Sequence, residues 1–322
     1  VNHSIAVTSC TSAMQLSLLA LGFSSGDEAI VPAFTWISTA NVVEQLGGKV
    51  VFCDIRLDTF NIDVDQIEKK ITKKTKVILP VHWAGASPDM SRIIKIARKY
   101  NIYIVEDACM GIGGRVNGSH PGTLGNIGAF SMHPLKSLNV MGDGGMIGTN
   151  NSKIANWLRK YRNHGMINRD HIEFWGINNR LQPLQAVVAY KELSKINAVV
   201  KKRNKNAKLM DKLLSPIYPN VIIPRRPKGY LETYALYMCL VKKRDSLIRY
   251  LKKNNIETKI HYPIPLNKQR AAKKLTLNQN DFKIANYQSK RLITLPIHQY
   301  LNNENIIFIA NKIKNFYKNK KK

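Results

Sequence analysis

The sequence predicts an α/β fold, in which a large domain with a mostly parallel sheet is followed by a small α+β domain. Short apolar runs bounded by turn residues alternate with amphipathic stretches along the first part of the chain, a pattern typical of strands separated by helices. A long helical pattern then ends where Pro216 and Pro219 interrupt it. We therefore predict a large domain over residues 1–215 and a small domain over residues 216–322.

Seven apolar runs are predicted to be the strands of the large domain. The first begins close to the start of the chain, and turn residues bound each run. In order they are Ile5–Val7, Ala29–Val31, Val50–Phe52, Val77–Val81, Tyr103–Val105, Ala129–Met132 and Gly145–Gly148.

The spacing of apolar residues predicts the remaining elements. In the large domain the predicted helices are Ala13–Leu21, Val64–Ile71, Met90–Tyr100 and one long helix from Gln182 to about Leu214. In the small domain the pattern predicts, in order, strand Tyr234–Val241, helix Asp245–Asn254, strand Thr258–His261 and helix Asn303–Tyr317.

The formal net charge of +29 is compatible with a nucleic acid, an anionic membrane surface or an acidic substrate as a partner. The basic residues are spread along the whole chain, and dense runs occur only at Lys201–Arg203 and Lys318–Lys322. We therefore attribute the charge to composition or solubility, and expect no specific nucleic-acid or membrane partner. The chain has no apolar run of about 18 residues and no signal-peptide pattern, so we expect a cytoplasmic protein.

Two other kinds of site are not supported by the sequence. The cysteines Cys10, Cys53, Cys109 and Cys239 form no C-x-x-C pair, and no H-E-x-x-H motif is present, so we expect reduced thiols and no metal site. The segment Gly111–Gly114 follows a strand but lacks the full G-x-G-x-x-G spacing into a helix, which argues against a dinucleotide.

Residues that directly follow strands carry the candidate chemistry, because ligands of open α/β sheets bind beyond the carboxyl ends of the strands. The hydroxyl residues in Ser9–Ala13 lead into a helix whose amino end favours a phosphate, although they could equally cap that helix. Asp107 ends a strand, where a carboxylate could keep a pyridine nitrogen protonated. The same acid could instead cap a turn or pair with an arginine.

Lys136 lies in an apolar and glycine-rich segment, unlike the other lysines of the chain. Such surroundings can lower the pKa of an amine, so that it forms a Schiff base with an aldehyde. Ser131 offers a second hydroxyl for a phosphate. Trp36 follows a strand and could stack on a planar ring, or could belong to the core.

The order and spacing of these pieces resemble the fold-type I enzymes that use pyridoxal 5′-phosphate, and among them the DegT/DnrJ/StrS sugar aminotransferase family. This resemblance implies a large domain with a mostly parallel, seven-stranded sheet. It covers nearly the whole chain and rests on segments at 26–41, 79–82, 105–108, 125–136, 142–145, 162–165, 176–180 and 261–263.

The resemblance also implies roles for individual residues. Lys136 looks like the lysine that holds the cofactor as a Schiff base and shuttles the proton, Asp107 like the partner of the pyridine nitrogen, and Trp36 like the stacking ring. Asn178 matches an asparagine that reaches the phosphate bound by a second copy, so a homodimer is implied. The matching phosphate ligands are Thr11, Ser12 and Ser131, and the positions implied for substrate contacts are His82, Arg180, His261 and Tyr262.

The chain departs from the family pattern in three respects. Cys10 stands where the family usually has glycine, so the phosphate loop is expected to be tighter or slightly displaced. Met110 stands where glutamine is common, so a polar contact near the cofactor ring is expected to be absent. The resemblance includes an N-terminal segment that helps to build the substrate site and the dimer, and we expect this segment to be missing before Val1.

By resemblance, the expected reaction moves an amino group from an amino acid, such as L-glutamate, to a nucleotide-linked keto-deoxysugar. A role in the biosynthesis of surface polysaccharides or related amino sugars would follow. The alternatives are other fold-type I chemistry on an amino acid, and a cofactor-free or nucleic-acid-binding relative. Lys136 favours amino transfer, because relatives with histidine at that position are dehydratases.

Overall fold

The computed structural model describes residues 1–318, so most of the basic run Lys318–Lys322 lies outside the described residues. Its strands are β1 (His3–Val7), β2 (Glu28–Pro32), β3 (Lys49–Cys53), β4 (Thr75–Ile78), β5 (Tyr103–Asp107), β6 (Arg115–Val116), β7 (Ile127–Ser131), β8 (Gly145–Thr149), β9 (Val221–Ile222), β10 (Tyr230–Leu231), β11 (Tyr237–Val241) and β12 (Leu292–Leu295). Its α-helices are α1 (Cys10–Ala20), α2 (Ser38–Gln45), α3 (Val64–Ile67), α4 (Met90–Lys99), α5 (Ser152–Tyr161), α6 (Pro183–Leu193), α7 (Ile196–Leu214), α8 (Arg244–Lys253), α9 (Lys283–Ser289) and α10 (Asn303–Lys318).

Seven strands form the central sheet, in the spatial order β1-β8-β7-β5-β4-β2-β3. Only β8 is antiparallel to its neighbours, so the predicted mostly parallel, seven-stranded sheet is confirmed. All five residues of β2 are buried, as expected for a parallel strand that is covered on both faces. The parallel strands β2, β4, β5 and β7 end at one common edge, where β5 ends in Asp107 and β7 in Ser131.

The helix α1 begins directly after β1 and packs against the sheet. The hydroxyl of Ser9 accepts a hydrogen bond from the backbone N–H of Ser12, which caps the helix. Six of its residues are buried, among them Met14, Leu16 and Leu18, so tertiary packing holds the helix in place. Its amino end therefore lies at the edge where the parallel strands end.

The predicted helix from Gln182 to Leu214 is two helices in the structure, α6 and α7, which meet at Ser194 and Lys195. The reason is a difference in packing. The helix α6 buries none of its residues, whereas α7 buries one face along its whole length, from Ile196 to Leu214. The single predicted helix therefore divides into two where the buried face of α7 begins.

The predicted strand Thr258–His261 is also wrong. This segment makes only one isolated antiparallel bridge, between Lys259 and Thr294. Pro263 and Pro265 follow closely, and proline has no N–H group to extend a ladder.

The second sheet has three strands in the order β12-β11-β9, all antiparallel. Its core also includes the last turns of α7, because Ala207, Met210 and Leu214 pack in one cluster with Tyr237 and Leu295. The boundary between residues 215 and 216 stays a prediction. No helix within residues 1–318 has both the length and the apolar character required to cross a membrane.

Candidate active site

A cavity of about 420 Å³, here called the central cavity, lies at the edge where the parallel strands end. Side chains from both parts of the chain line it. The structure brings seven of the predicted site residues to this cavity, namely Thr11, Trp36, Asp107, Ser131, Lys136, His261 and Tyr262. Further lining residues are Ser9, Cys10, Ser38, Cys109, Met110, Gly144, Ala235 and Leu236.

Asp107 places a fixed carboxylate at the floor of the central cavity. The residue is only 2% exposed, and its Oδ2 accepts a hydrogen bond of 2.7 Å from the hydroxyl of Thr39 at the start of α2. Its Oδ1 accepts a bond of 3.2 Å from the backbone N–H of Cys109. A buried carboxylate held by two donors is fixed in direction and can hold a cationic ring nitrogen.

Hydroxyl groups cluster around the amino end of α1. Thr11 donates to Ser38 over 3.0 Å, and Ser9 and Ser131 line the same cavity. The first N–H groups of a helix have no partner within it and favour an anion. Gly145 of β8 passes so close that an added Cβ would lie 2.3 Å from the backbone of Ser9, so only glycine fits there.

Cys10 stands at the first residue of α1 without a positive φ, so its backbone conformation needs no glycine. Its Sγ lies 4.0 Å from Oδ1 of Asp107. The expectation of a tighter or displaced phosphate loop at this position stays a prediction.

Lys136 lines the central cavity close to the thiols of Cys10 and Cys109. Burial, followed by the charge of Asp107, raises the pKa of Cys10 well above its usual value, although Lys136 acts in the opposite direction. Burial and Asp107 likewise raise the pKa of Cys109. Both thiols therefore stay protonated at neutral pH, which leaves the amine of Lys136 as the nucleophile of the cavity and gives no support to sulfur chemistry.

Aromatic side chains form one wall. The rings of Trp36 and Tyr262 lie 5.3 Å apart, and the buried ring of Trp83 lies 5.7 Å from that of Tyr262. Trp36 is 51% exposed, so its ring remains available for stacking. Burial first, with a contribution from the charge of Asp107, raises the pKa of Tyr262, so its hydroxyl stays protonated.

His261 completes this wall. Its Nδ1 lies 2.9 Å from Oγ1 of Thr294. Burial, with smaller contributions from Lys136 and Lys259, lowers its pKa below the usual 6.5. The imidazole is therefore neutral at pH 7 and does not compete with Lys136 for an anion.

The position of His82 differs from the one that the resemblance implies. The resemblance implies a substrate contact, but the residue is completely buried, with both ring nitrogens engaged. Nε2 lies 2.8 Å from Oε2 of Glu106, and Nδ1 lies 2.8 Å from Oγ of Ser87. Its backbone N–H donates to the carbonyl of Asp107. His82 therefore supports the floor of the cavity from behind.

Three other predicted residues do not line the central cavity of their own chain. The hydroxyl of Ser12 lies 3.0 Å from that of Thr8, within the cap of α1. Asn178 is exposed on the loop before α6, where its Oδ1 accepts a bond from Nε of Arg180. Arg180 is exposed as well and donates to Asn163. The roles implied for these residues stay predictions.

Two residues that hold Asp107 are missing from the sequence-based set, Thr39 and Cys109. Thr39 lies in α2, far from Asp107 in sequence. A signal was present, since Ser38 and Thr39 are hydroxyl residues at the start of a helix that follows a strand, the same pattern that singled out Ser9–Ala13. Only the sheet order shows that the two strand ends meet.

Comparison with known proteins places this geometry among aminotransferases. The model of the DegT/DnrJ/EryC1/StrS aminotransferase family matches residues 1–314. UDP-N-acetyl-3-dehydro-alpha-D-glucosamine 3-aminotransferase of Acidithiobacillus ferrooxidans is 34% identical over 314 residues, which cover 98% of this chain and 84% of that protein.

Two solved structures are similar over nearly the whole chain. DesV of S. venezuelae superposes with a TM-score of 0.95 at 29% identity, covering 98% of this chain and 85% of that one. The PLP form of the sugar aminotransferase Spr1654 of Streptococcus pneumoniae superposes with a TM-score of 0.90 at 25% identity, covering 97% and 86%. Both comparisons agree with the fold and with a cavity built for pyridoxal 5′-phosphate.

Proposed function

The chain belongs to the DegT/DnrJ/EryC1/StrS aminotransferase family, whose cofactor is pyridoxal 5′-phosphate, and we propose that it moves an amino group from L-glutamate to the ketone of a nucleotide-linked deoxysugar. One observation carries this proposal. The amine of Lys136, the carboxylate of Asp107 and the hydroxyl cluster at the amino end of α1 face the same cavity.

The residues of the central cavity fit the cofactor. Thr11, Ser38 and Ser131, together with the amino end of α1, would bind its phosphate. Asp107 would hold its ring nitrogen as a cation, and Trp36 would lie against the ring. When bound, the cofactor supplies an electron sink for the electron pair released at the substrate carbon.

Individual residues of this chain would have defined roles in the reaction. The amine of Lys136 would hold the cofactor and, once free, take a proton from the substrate carbon that bears the nitrogen and return one. Thr39 and the N–H of Cys109 would hold the carboxylate of Asp107 in place toward the ring nitrogen. The thiols of Cys10 and Cys109 would remain spectators, since both stay protonated.

The partner in this function would be a second copy of the chain. The helix α6 leaves the apolar side chains of Leu184, Val187 and Tyr190 exposed, by 82%, 66% and 84%. An exposed apolar patch of this kind is typical of a protein interface. Asn178 lies on the loop that leads to this helix, where it would be available to the phosphate bound by the other copy.

The substrate class is inferred from relatives and from the wall of the cavity. The relative from A. ferrooxidans acts, by its name, on a nucleotide sugar with a keto group. His261, Tyr262 and Arg180 offer neutral and cationic hydrogen-bond donors for a sugar and its phosphates. A role in surface polysaccharide or amino-sugar biosynthesis, and a cytoplasmic location, are part of this proposal.

Absorbance spectroscopy tests the first half of the reaction. Protein loaded with pyridoxal 5′-phosphate should show a visible band that L-glutamate bleaches, and Lys136→Ala should lack that band. Lys73→Ala, an exposed lysine outside the cavity, should behave like the wild type. A wild-type band that glutamate leaves unchanged, while another amino acid bleaches it, would overturn the choice of donor.

A panel of nucleotide-linked keto sugars tests the second half. After treatment with glutamate, the correct sugar should restore the visible band and leave with an added amino group, detected by mass spectrometry. Restoration of the band by simple 2-oxo acids alone would contradict the sugar assignment and leave an amino-acid transaminase.

A further inference from the structure

We propose that this chain has a second anion-binding site, separate from the central cavity, that takes a small molecule carrying a diphosphate group. The site is a cavity of about 530 Å³ beside the middle of α7, here called the basic cavity. No residue lines both this cavity and the central cavity. The polar residues that line it are Arg115, Asn197, Lys201, Asn204, Lys205 and Lys208.

The charges of the basic cavity are not neutralised within the protein. Its lining contains four cations and no carboxylate. Within residues 1–318, Lys201, Lys205 and Lys208 make neither a hydrogen bond nor an ion pair through their side chains, and Arg115 has no acidic partner. Other cations of the chain do find carboxylates, as Arg226 does with Asp211.

The turn that directly precedes Arg115, the first residue of β6, is held tightly against α7. Gly113 has a φ of +88° and packs on Val200, where an added Cβ would lie 2.9 Å from Cγ2. Nη1 of Arg115 donates to the carbonyl of Gly114 and to Nδ1 of His120, both at 2.8 Å. Nε and Nη2 of Arg115 have no acceptor among residues 1–318. The guanidinium is therefore held in place through Nη1, and its other N–H groups can donate to a ligand.

Lys201, Lys205 and Lys208 follow one another at helical spacing, four and three residues apart, so they lie on one face of α7. Like charges at this spacing repel each other, and a bound anion would remove that repulsion. The side-chain amide of Asn197 lies on the same lining and can donate to a phosphate oxygen, whereas the amide nitrogen of Asn204 already donates to the carbonyls of Val200 and Glu232. A lysine-rich composition explains how many cations the chain has. It does not explain why four of them line one cavity that contains no acidic residue.

The charge and the donors together favour a diphosphate over a monovalent anion. A diphosphate carries several negative charges and many acceptor oxygens, which match lysines that act as point charges and an arginine that binds in a fork. Free inorganic diphosphate and the diphosphate of a nucleotide share this chemistry. The inference does not depend on amino transfer, because it concerns binding alone.

Isothermal titration of the protein loaded with pyridoxal 5′-phosphate tests the site, because the phosphate position of the central cavity is then taken. Inorganic pyrophosphate, at constant ionic strength, should bind with one-to-one stoichiometry. The triple variant K201Q/K205Q/K208Q should weaken this binding at least about tenfold. Glutamine forms helices about as readily as lysine, so the variant should fold.

A matched variant controls for net charge. K73Q/K253Q/K314Q removes the same charge from three exposed lysines outside the basic cavity and should bind pyrophosphate as the wild type does. Loss of binding in both triple variants, undiminished binding in the first, or no saturable binding in the wild type would each overturn the proposal.

UDP as a second probe identifies the source of the diphosphate. Because UDP can also bind at the central cavity as part of the proposed substrate, only the share of UDP binding that K201Q/K205Q/K208Q removes is assigned to the basic cavity. An affinity for UDP about tenfold higher than for pyrophosphate would assign the site to a nucleotide, and equal affinities would assign it to free diphosphate.

Discussion

The carboxylate of Glu106 lies 2.8 Å from Nε2 of His82, and both side chains are completely buried directly behind the central cavity. Glu106 also accepts hydrogen bonds from the backbone N–H groups of Gly122, Leu124 and Gly125. This one carboxylate therefore ties the end of β5 to the loop before β7. The neighbouring residue, Asp107, owes its position to this anchor.

The anchor predicts a pH-dependent stability. Burial alone would raise the pKa of Glu106, but the bonds from His82, Gly125 and Gly122 outweigh it and hold the pKa below its usual 4.5. A lowered carboxyl pKa contributes stability above the unfolded-state pKa, and this stability is lost as the pH falls through the folded-state value. Glu106→Gln should cost about 2–4 kcal/mol at pH 7.

Urea unfolding of wild type and Glu106→Gln from pH 7 downwards measures this difference, which should shrink below about pH 4.5. The exposed Glu257→Gln is the control and should follow the wild type. A difference that stays constant down to the lowest pH at which both proteins fold would show that Glu106 is not the titrating group.

The bond from Thr39 predicts the strength of cofactor binding. Thr39→Val keeps the side-chain shape but removes the donor to Asp107, so the carboxylate is held less firmly. We expect the affinity for pyridoxal 5′-phosphate to fall about tenfold, measured by absorbance titration. Thr72→Val removes a similar threonine-to-carboxylate bond, to Glu28, far from the cavity, and should leave the affinity unchanged. If both variants lowered the affinity for the cofactor equally, Thr39 would have no specific role in cofactor binding.

The exposed face of α6 predicts an assembly. The chain should sediment as a dimer, and Tyr190→Glu should shift it toward the monomer, because a charge would be buried at the interface. Tyr218→Glu changes another exposed tyrosine, 73% exposed and outside this face, and should leave the dimer intact. Analytical ultracentrifugation distinguishes these outcomes. A wild type that is monomeric at every concentration would refute the dimer.

His261 predicts a second pH effect. Its pKa is lowered by burial, Lys136 and Lys259, so the unfolded chain binds its proton more readily than the folded one. Stability should therefore fall as the pH drops below about 6.5. His261→Gln should lose less stability than the wild type between pH 7.5 and 5.5, measured by thermal unfolding. Replacement of the exposed His171 by glutamine should leave the wild-type pH dependence in place.

Local patterns in the sequence were sufficient for the central sheet and for much of the site. Each parallel strand contains a short buried apolar run, Asp107 and Ser131 are the last residues of their strands, and Lys136 follows the second of these strands closely. The strand ends meet because parallel strands point the same way. This rule let residues far apart in the chain be assigned to one cavity.

Other features depend on tertiary structure and could not be predicted locally. His82 follows a strand just as Asp107 ends one, but its ring turns inward to Glu106 instead of outward to a ligand. The bond from Thr39 to Asp107 depends on the spatial order of strands. Helical spacing continues through Ser194 and Lys195, and the break between the two helices becomes evident only from the structure, where the buried face of α7 begins.

The core that α7 shares with the second sheet has a consequence for engineering chimeras with relatives. A crossover between residues 215 and 216 would separate Ala207, Met210 and Leu214 from the strands on which they pack. A crossover at Ser194 and Lys195 would keep that core together. In such a chimera the relative would supply the cavity residues Ala235, Leu236, His261 and Tyr262 together, and this chain would supply Asp107 and Lys136. Libraries built at this junction should therefore vary substrate scope without disturbing the chemistry.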